Sequence, residues 1–229
     1  MVFKKRYNPE KTWDLIAESF DETRNRPWSE CMGFIDQVES DFFTADIACG
    51  NGRNLIPLAK RCRRCVGLDI SKKLLKIVKK KASKKNITNI DLIHADASFL
   101  PFKNNILDSI VFIAGLHNIR SRQRRILSLK EIKRVKKEEG KALITVWSRE
   151  QERFREYFKR KENFLDNFEL GDIFIKWKKD GLNIPRFYHL YNKEEFNSDI
   201  LKAGFKDILI KEVKICSKKY PDNYFAVVK

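Results

Sequence analysis

Asp46-Ile47-Ala48-Cys49-Gly50-Asn51-Gly52-Arg53-Asn54-Leu55 is the stretch that decides the fold of this 229-residue chain. A short apolar strand, 44–49, runs into Gly-x-Gly and then into a helix, 54–61. Glycines there let the backbone turn sharply and approach a ligand closely. A dinucleotide fingerprint wants a third glycine further on, and Leu55 stands in that place. That weakens a nicotinamide reading. Asp46 falls at the strand end, where its carboxylate can hold an amino group or an ordered water.

Outward from this stretch the chain alternates strands and helices. Further strands are expected at 65–69, 90–94, 107–114 and 142–147, the last entered by a turn at Glu138-Glu139-Gly140. Ser71 is placed as the N-cap of a helix running to about Lys85, and 122–135 reads as another helix. Such alternation specifies a parallel sheet with right-handed crossovers. Before it, residues 7–40 read as helical, with Trp13, Ile16, Ala17 and Phe20 at helical spacing and a break over 21–28. After it, residues 151–168 are charged and aromatic without one clean face, and read as an insertion between late strands. A helix at 192–203 with Gly204 behind it, then strands at 208–215 and 224–228, close the chain as an antiparallel pair. The expected fold is α/β: a Rossmann-like, mostly parallel sheet with helices on both faces. It forms one domain, with a helical segment 1–42, a core 43–147, an insert 148–191 and a C-terminal part 192–229.

The formal charge of +17 attracts polyanions, though basic faces also simply keep a protein soluble. The lysine runs at 79–81 and 84–85 lie on a helix and read as solvated. No apolar run is long enough to span a membrane, and the basic N-terminus leads into polar residues rather than a secretory h-region. Cys62-Arg63-Arg64-Cys65 has no second ligand pair at finger spacing, so no metal is expected there. Reduced, strand-associated cysteines suit the cytoplasm.

The chemistry concentrates at three strand ends. The second strand ends in Gly67-Leu68-Asp69, an acid seventeen residues after Gly52, where a carboxylate can take both ribose hydroxyls of a nucleoside. The third ends in His94-Ala95-Asp96-Ala97, where the acid can accept from an adenine amino group and Ala97 can offer its N–H. Each acid could instead cap a helix, Asp69 most easily. Three acids beside small residues along one edge of a sheet argue for a shared crevice.

These features, with Leu100-Pro101-Phe102, resemble class I S-adenosylmethionine (SAM)-dependent methyltransferases over about residues 43–147. The resemblance implies that Asp69 binds ribose, Asp96 and Ala97 adenine, and Asp46, Gly50 and Gly52 the methionine end. Ala48, Ile70 and Ala114 complete the implied cofactor set. A closer resemblance covers nearly the whole chain. The segment 13–24 with Arg26-Pro27-Trp28, then Ala114-Gly115-Leu116-His117-Asn118, Arg124-Arg125, 143–147, Glu150-Gln151, 186–191 and 222–225 are similar to the tRNA carboxymethyluridine methyltransferases, which esterify a wobble uridine. That family often has two adjacent histidines where His117-Asn118 stands here, and the insert, about 153–182, matches poorly. It also implies a small zinc-binding activator subunit that adds a strand to a sheet edge, giving a heterodimer.

A carboxylate is ionised at neutral pH, so it needs a cationic clamp and positioning rather than a general base. His117, Arg24 and Arg26 are the candidate catalytic residues, and Trp28, Arg124, Arg125, Arg186, Tyr188 and His189 the candidate substrate-binding ones. Competing readings put Trp28 in the core, Arg24 at a helix cap or paired with Asp21, and His189 as a satisfied structural histidine. The segment after the fourth strand lacks the Asp/Asn-Pro-Pro of amino-group methyltransferases and the cysteine of cytosine carbon methyltransferases. Two rivals remain: a methyltransferase of small-molecule or protein carboxylates, and an inactive RNA-binding scaffold.

Overall fold

The computed structural model describes residues 7–159 and 169–229. The chain divides into two compact units, Met1–Ala97 with Phe174–Arg186, and Ser98–Ile173 with Phe187–Lys229. Part of the segment expected as the insert, 174–186, falls in the first unit.

In the first unit, helix α1 (Pro9–Thr23) starts with proline, whose fixed φ suits a first turn, and Asn8 caps it by accepting from the Lys11 N–H. Its inner face buries Ile16 and Ala17. Helix α2 (Ser29–Ile35) follows the break. Strands β1 (Phe43–Ile47), β2 (Arg64–Asp69) and β3 (Ile90–His94) are parallel, with β2 in the middle and Asp46, Gly67 and Leu92 in register. Between them lie α3 (Leu55–Ala59) and α4 (Lys72–Lys84), the latter burying Leu74, Leu75, Val78 and Ala82. Ser71 caps α4 as expected, its Oγ accepting from the Leu74 N–H at 3.1 Å. Gly67 has to be glycine for packing: a Cβ there would overlap Leu55 Cδ2 and lie 3.1 Å from Cys49 Sγ.

In the second unit, β4 (Leu107–Ile113) runs parallel to β5 (Lys136–Trp147), and β9 (Asn223–Val228) is antiparallel to both β5 and β8 (Ile208–Val213). Helix α5 (Arg122–Val135) packs on β5 and on α7 (Lys193–Lys202), which Asn192 caps and Gly204, at φ +95°, ends. The turn expected at 138–140 lies inside β5 instead. There the register with β4 slips between Leu107 and Ser109, and the Lys136 ammonium satisfies the carbonyls of Lys137, Glu138 and Gly140. Helix α6 (Glu152–Lys159) begins the insert, and β6 (Asp172–Trp177) with β7 (Ile184–His189) forms a two-stranded sheet that the sequence pattern did not suggest. Residues 160–168 of the insert lie outside the described ones. The class is the Rossmann-like α/β fold anticipated, mostly parallel, with its C-terminal antiparallel pair. No helix among the described residues is long and apolar enough to cross a membrane.

Candidate active site

The turn after β1 is built on left-handed backbone. Gly50 and Gly52 have φ of +55° and +79°, and Ala48 shares this region at +56° despite its Cβ. Non-glycine residues hold that conformation at a cost, and such residues cluster at ligand sites. The Gly50 N–H donates to Asp69 Oδ2 and the Ser71 N–H to Oδ1, both at 2.8 Å, so one carboxylate ties the turn to the end of β2. Burial pushes the Asp69 carboxyl up to about 6 against the pull of these N–H donors and that of Ile70. Asp46 is buried, and burial together with nearby Asp69 raises its carboxyl well above the usual range. Asp46 Oδ2, Asn51 Oδ1 and Asn54 Oδ1 are buried acceptors that no protein donor reaches. Each such atom costs about 1–3 kcal/mol unless something donates to it. The end of β3 is docked alongside: the Ala95 N–H donates to the Asp69 carbonyl at 3.2 Å, and His94 Nε2 lies 2.9 Å from the Ile70 carbonyl. Asp96 and Ala97 follow, half-buried.

The same unit carries the expected cationic residues. Arg24 is exposed, C-caps α1, and has its guanidinium 5.9 Å from the Trp177 ring. It does not pair with Asp21, which is taken by Asn51 Nδ2 at 2.7 Å and by the Lys81 ammonium. Arg26 is exposed as well. Arg186 is buried with its guanidinium over Trp177 at 4.8 Å and Trp13 at 5.8 Å. Trp28 is half-buried beneath Arg53, 4.9 Å from its ring. Phe20 lies 3.8 Å from where a Gly50 Cβ would stand, so α1 passes over the glycine turn.

In the second unit, Ala114 follows β4 with φ +55°, its N–H donating to Thr145 Oγ1 at 2.9 Å. A 3-10 turn, Leu116–Asn118, then presents His117. The Trp147 N–H donates to His117 Nδ1 at 3.0 Å, which puts the proton of the neutral ring on Nε2. Trp147 lies 4.9 Å from Tyr188 at 10°, and His117 lies 5.6 Å from Tyr188 at 27° and 5.4 Å from Trp147 at 35°, so the three rings form a triangular cluster with Trp147 stacked on Tyr188. Asn118, where the resembling family often has a histidine, closes the turn by donating from Nδ2 to the Ala114 carbonyl at 2.8 Å.

Two expected substrate contacts are placed otherwise. Arg125 is fully buried, paired with Glu169 Oε2 at 2.5 Å and over the Tyr191 ring at 5.5 Å, while its neighbour Arg124 is exposed. Helical rotation explains the split: adjacent residues point about 100° apart. His189 is fully buried with Nδ1 2.7 Å from Asp172 and Nε2 2.9 Å from Glu195, which is the structural-histidine alternative. Burial pulls its pKa down, but the two carboxylates outweigh that and raise it. Glu169, His189 and Glu195 bring metal-ligand atoms within 4.8 Å of one another. Their atoms are already engaged, Glu169 by Arg125 and the Arg122 N–H, His189 by the two carboxylates. Cys62 and Cys65 are free thiols sharing Thr44 Oγ1 at 3.2 and 3.3 Å.

Residues not singled out by sequence also matter. Trp147 carries the His117 hydrogen bond, and its place as the last residue of an apolar strand was the available signal. Asn51 ties the turn to α1 by also donating to the Arg24 carbonyl at 2.9 Å. Trp177 was hidden in a segment without periodicity.

The family description "Methyltransferase domain" matches residues 45–144, which span the glycine turn, Asp69, Asp96 and His117. The chain belongs to the class I SAM-dependent methyltransferases. It is 34% identical over 155 residues, 68% of its length, to a tRNA (carboxymethyluridine(34)-5-O)-methyltransferase of Xenopus tropicalis, and spans 23% of that protein. A SAM-dependent methyltransferase from Methanosarcina mazei shares its fold with a TM-score of 0.72 at 18% identity, over 89% of this chain and 98% of that one. A chain from the Haloferax volcanii complex of the Trm112 methyltransferase activator also has a TM-score of 0.72, at 14% identity, over 96% of each. SAM is the cofactor of this methyltransferase, and the orphaned acceptors of Asp46, Asn51 and Asn54 beside the glycine turn fit a ligand rich in N–H and O–H donors.

Proposed function

We propose that this methyltransferase esterifies the carboxylate of 5-carboxymethyluridine, or a related wobble uridine, in tRNA. SAM, when bound, supplies an electrophilic methyl group on a sulfonium. In the first unit Asp69 holds the ribose, Asp96 and Ala97 the adenine, and the turn 48–52 with Asp46 the methionine end, with Ile70 beside it; in the second unit Ala114 is a candidate cofactor contact. The observation that carries the reading is the tautomer of His117. Its Nδ1 accepts from the Trp147 N–H, so the neutral ring, which is buried, carries its proton on Nε2. A base is not needed for an ionised carboxylate, but a donor that orients one is. Trp147 and Tyr188 pack against that imidazole and fix its orientation. Arg24, Arg26 and Arg186 supply the positive charge, and Trp28 and Arg124 meet the RNA. Arg125 and His189 act one layer further out, as supports of the stack's surroundings. The name of the Xenopus relative supports the substrate, as does the charge of +17.

We further propose a heterodimer with a small zinc-binding activator that extends a sheet edge, in the cytoplasm, where free cysteines persist. The test uses chain plus activator, tRNA lacking wobble esters and methyl-labelled SAM. Label should enter tRNA and leave under mild alkali, as an ester must. Alkali-stable label, or equal transfer to free carboxylic acids, would overturn the substrate. Failure to bind SAM in calorimetry would revive the scaffold reading.

A further inference from the structure

Helix α4 contains Lys72, Lys73, Lys76, Lys79, Lys80, Lys81 and Lys84 and no acidic residue. At about 100° per residue, six of these, all but Lys81, share an arc of about 140° opposite the buried Leu74, Leu75, Val78 and Ala82. All six are exposed. Lys81 faces the flank and is paired with Asp21. Lys72 has a distant partner, Glu10 at 3.9 Å, and among the described residues Lys73, Lys76, Lys79, Lys80 and Lys84 make no ion pair.

This arrangement works against the helix itself. Lys72–Lys76, Lys76–Lys80 and Lys80–Lys84 are like charges at i, i+4, and each such pair is destabilising. Lys72 and Lys73 sit in the first turn, where the helix dipole disfavours cations. Basic side chains on α5 are used differently: Arg122, Arg125 and Arg134 are paired with Asp199, Glu169 and Glu131. A cationic stripe about 18 Å long, with lysines on every turn, has its repulsion relieved by a polyanion laid along it.

We propose that the exposed face of α4 is a docking ridge for a phosphodiester backbone, gripping tRNA through residues other than the candidate catalytic ones. This rests on tRNA being the substrate. It differs from the reading of these lysines as merely solvated, because a solvated face has no reason to exclude every acid.

The test measures equilibrium binding of bulk tRNA by the full chain across a potassium chloride series, without turnover. Lys76→Gln/Lys80→Gln/Lys84→Gln should weaken binding about tenfold or more near 0.1 M salt. It should also flatten the slope of log affinity on log salt by about 2, at roughly 0.7–0.9 per phosphate contact. The triple Arg replacement at the same positions should retain affinity, and SAM binding should be unchanged in both. Lys202→Gln/Lys206→Gln/Lys211→Gln removes the same charge from exposed positions elsewhere and should leave tRNA affinity within about twofold. Equal losses in both Gln variants, or none in the first, would overturn the ridge. So would loss of binding to phosphatidylserine vesicles with tRNA binding intact, which would assign α4 to a membrane surface. If ridge-dependent tRNA binding is present but no alkali-labile methyl is transferred, the substrate reading fails and the ridge stands.

Discussion

Asp69 holds the Gly50 and Ser71 N–H groups and is also the acid placed to accept ribose hydroxyls. A buried carboxyl at about 6 must be ionised to accept from both. SAM affinity should therefore be flat above about pH 7 and fall about tenfold per unit well below 6. Asp69→Asn should lower affinity by about tenfold and remove that acid limb. Calorimetric titration at pH 5, 6, 7 and 8 decides it, and an Asn variant that keeps the limb would assign the titration to another group. His117 is the second single-residue test. If its Nε2–H orients the acceptor, His117→Ala should cut kcat by about a hundredfold or more with SAM affinity within about twofold. A rise in KM for tRNA at unchanged kcat would make it a binding residue only. Both positions could be singled out in the sequence because Asp69 ends one apolar strand and His117 follows another by four residues. Trp147 was not, because a terminal aromatic on a buried strand reads as core until its backbone N–H is seen on His117.

Two element-level junctions carry the remaining predictions. Gly67 lies where β2 meets α3, and Gly67→Ala would force Leu55 aside. Stability should fall by about 1–3 kcal/mol in urea, as overpacking does, and SAM affinity with it. A neutral result would mean that Leu55 has another rotamer available. The second junction joins β7 to β6 and α7 through charge, with an ion pair from α5 beside it. His189 lies between Asp172 and Glu195, and Arg125 pairs with Glu169. The folded-state pKa of His189 is raised above its unfolded value near 6.5, so its contribution is full below that pH and lost as pH rises through the folded value. The stability gap between the parent chain and His189→Gln should be about 2–3 kcal/mol at pH 5.5 and shrink by pH 8.5. A gap that is constant or grows with pH would show that the ring is buried neutral. The strand–helix alternation of 43–147 was readable because buried parallel strands are short apolar runs bounded by glycine, acid or a cap. Strands β6 and β7 were not, because the in–out alternation of β6 covers only Ile175, Lys176 and Trp177 before Lys178 and Lys179 end it. The slip in β5 was invisible too, since Glu-Glu-Gly reads as a turn whenever no buried ammonium is there to gather its carbonyls.

For the molecule as a whole, the open question is which strand edge an activator would occupy. Among the described residues β3 and β8 each pair on one side only, so each offers unpaired N–H and C=O groups. Edges left open are blunted by charge or covered. On β8, Leu209, Lys211 and Glu212 are exposed and Ile208, Ile210 and Val213 half-buried. β3 keeps Ile90, Leu92 and Ile93 half-buried, with Asp91 and His94 as its exposed residues. Both edges are aliphatic, but β8 carries an exposed lysine, a side chain that guards an open edge, and β3 carries none, so β3 is the edge we expect the partner to cover. In a one-to-one complex with the zinc-binding subunit, the amides of residues 90–94 should exchange at least tenfold more slowly than in the chain alone, while those of 208–213 are unaffected. The chain alone should be poorly soluble or poorly active. Slowed exchange at 208–213 instead would move the partner to β8, and a fully active, soluble monomer would remove the need for one. The two outcomes separate cleanly, because exchange reads where the edge is covered and methyl transfer reads whether covering it matters.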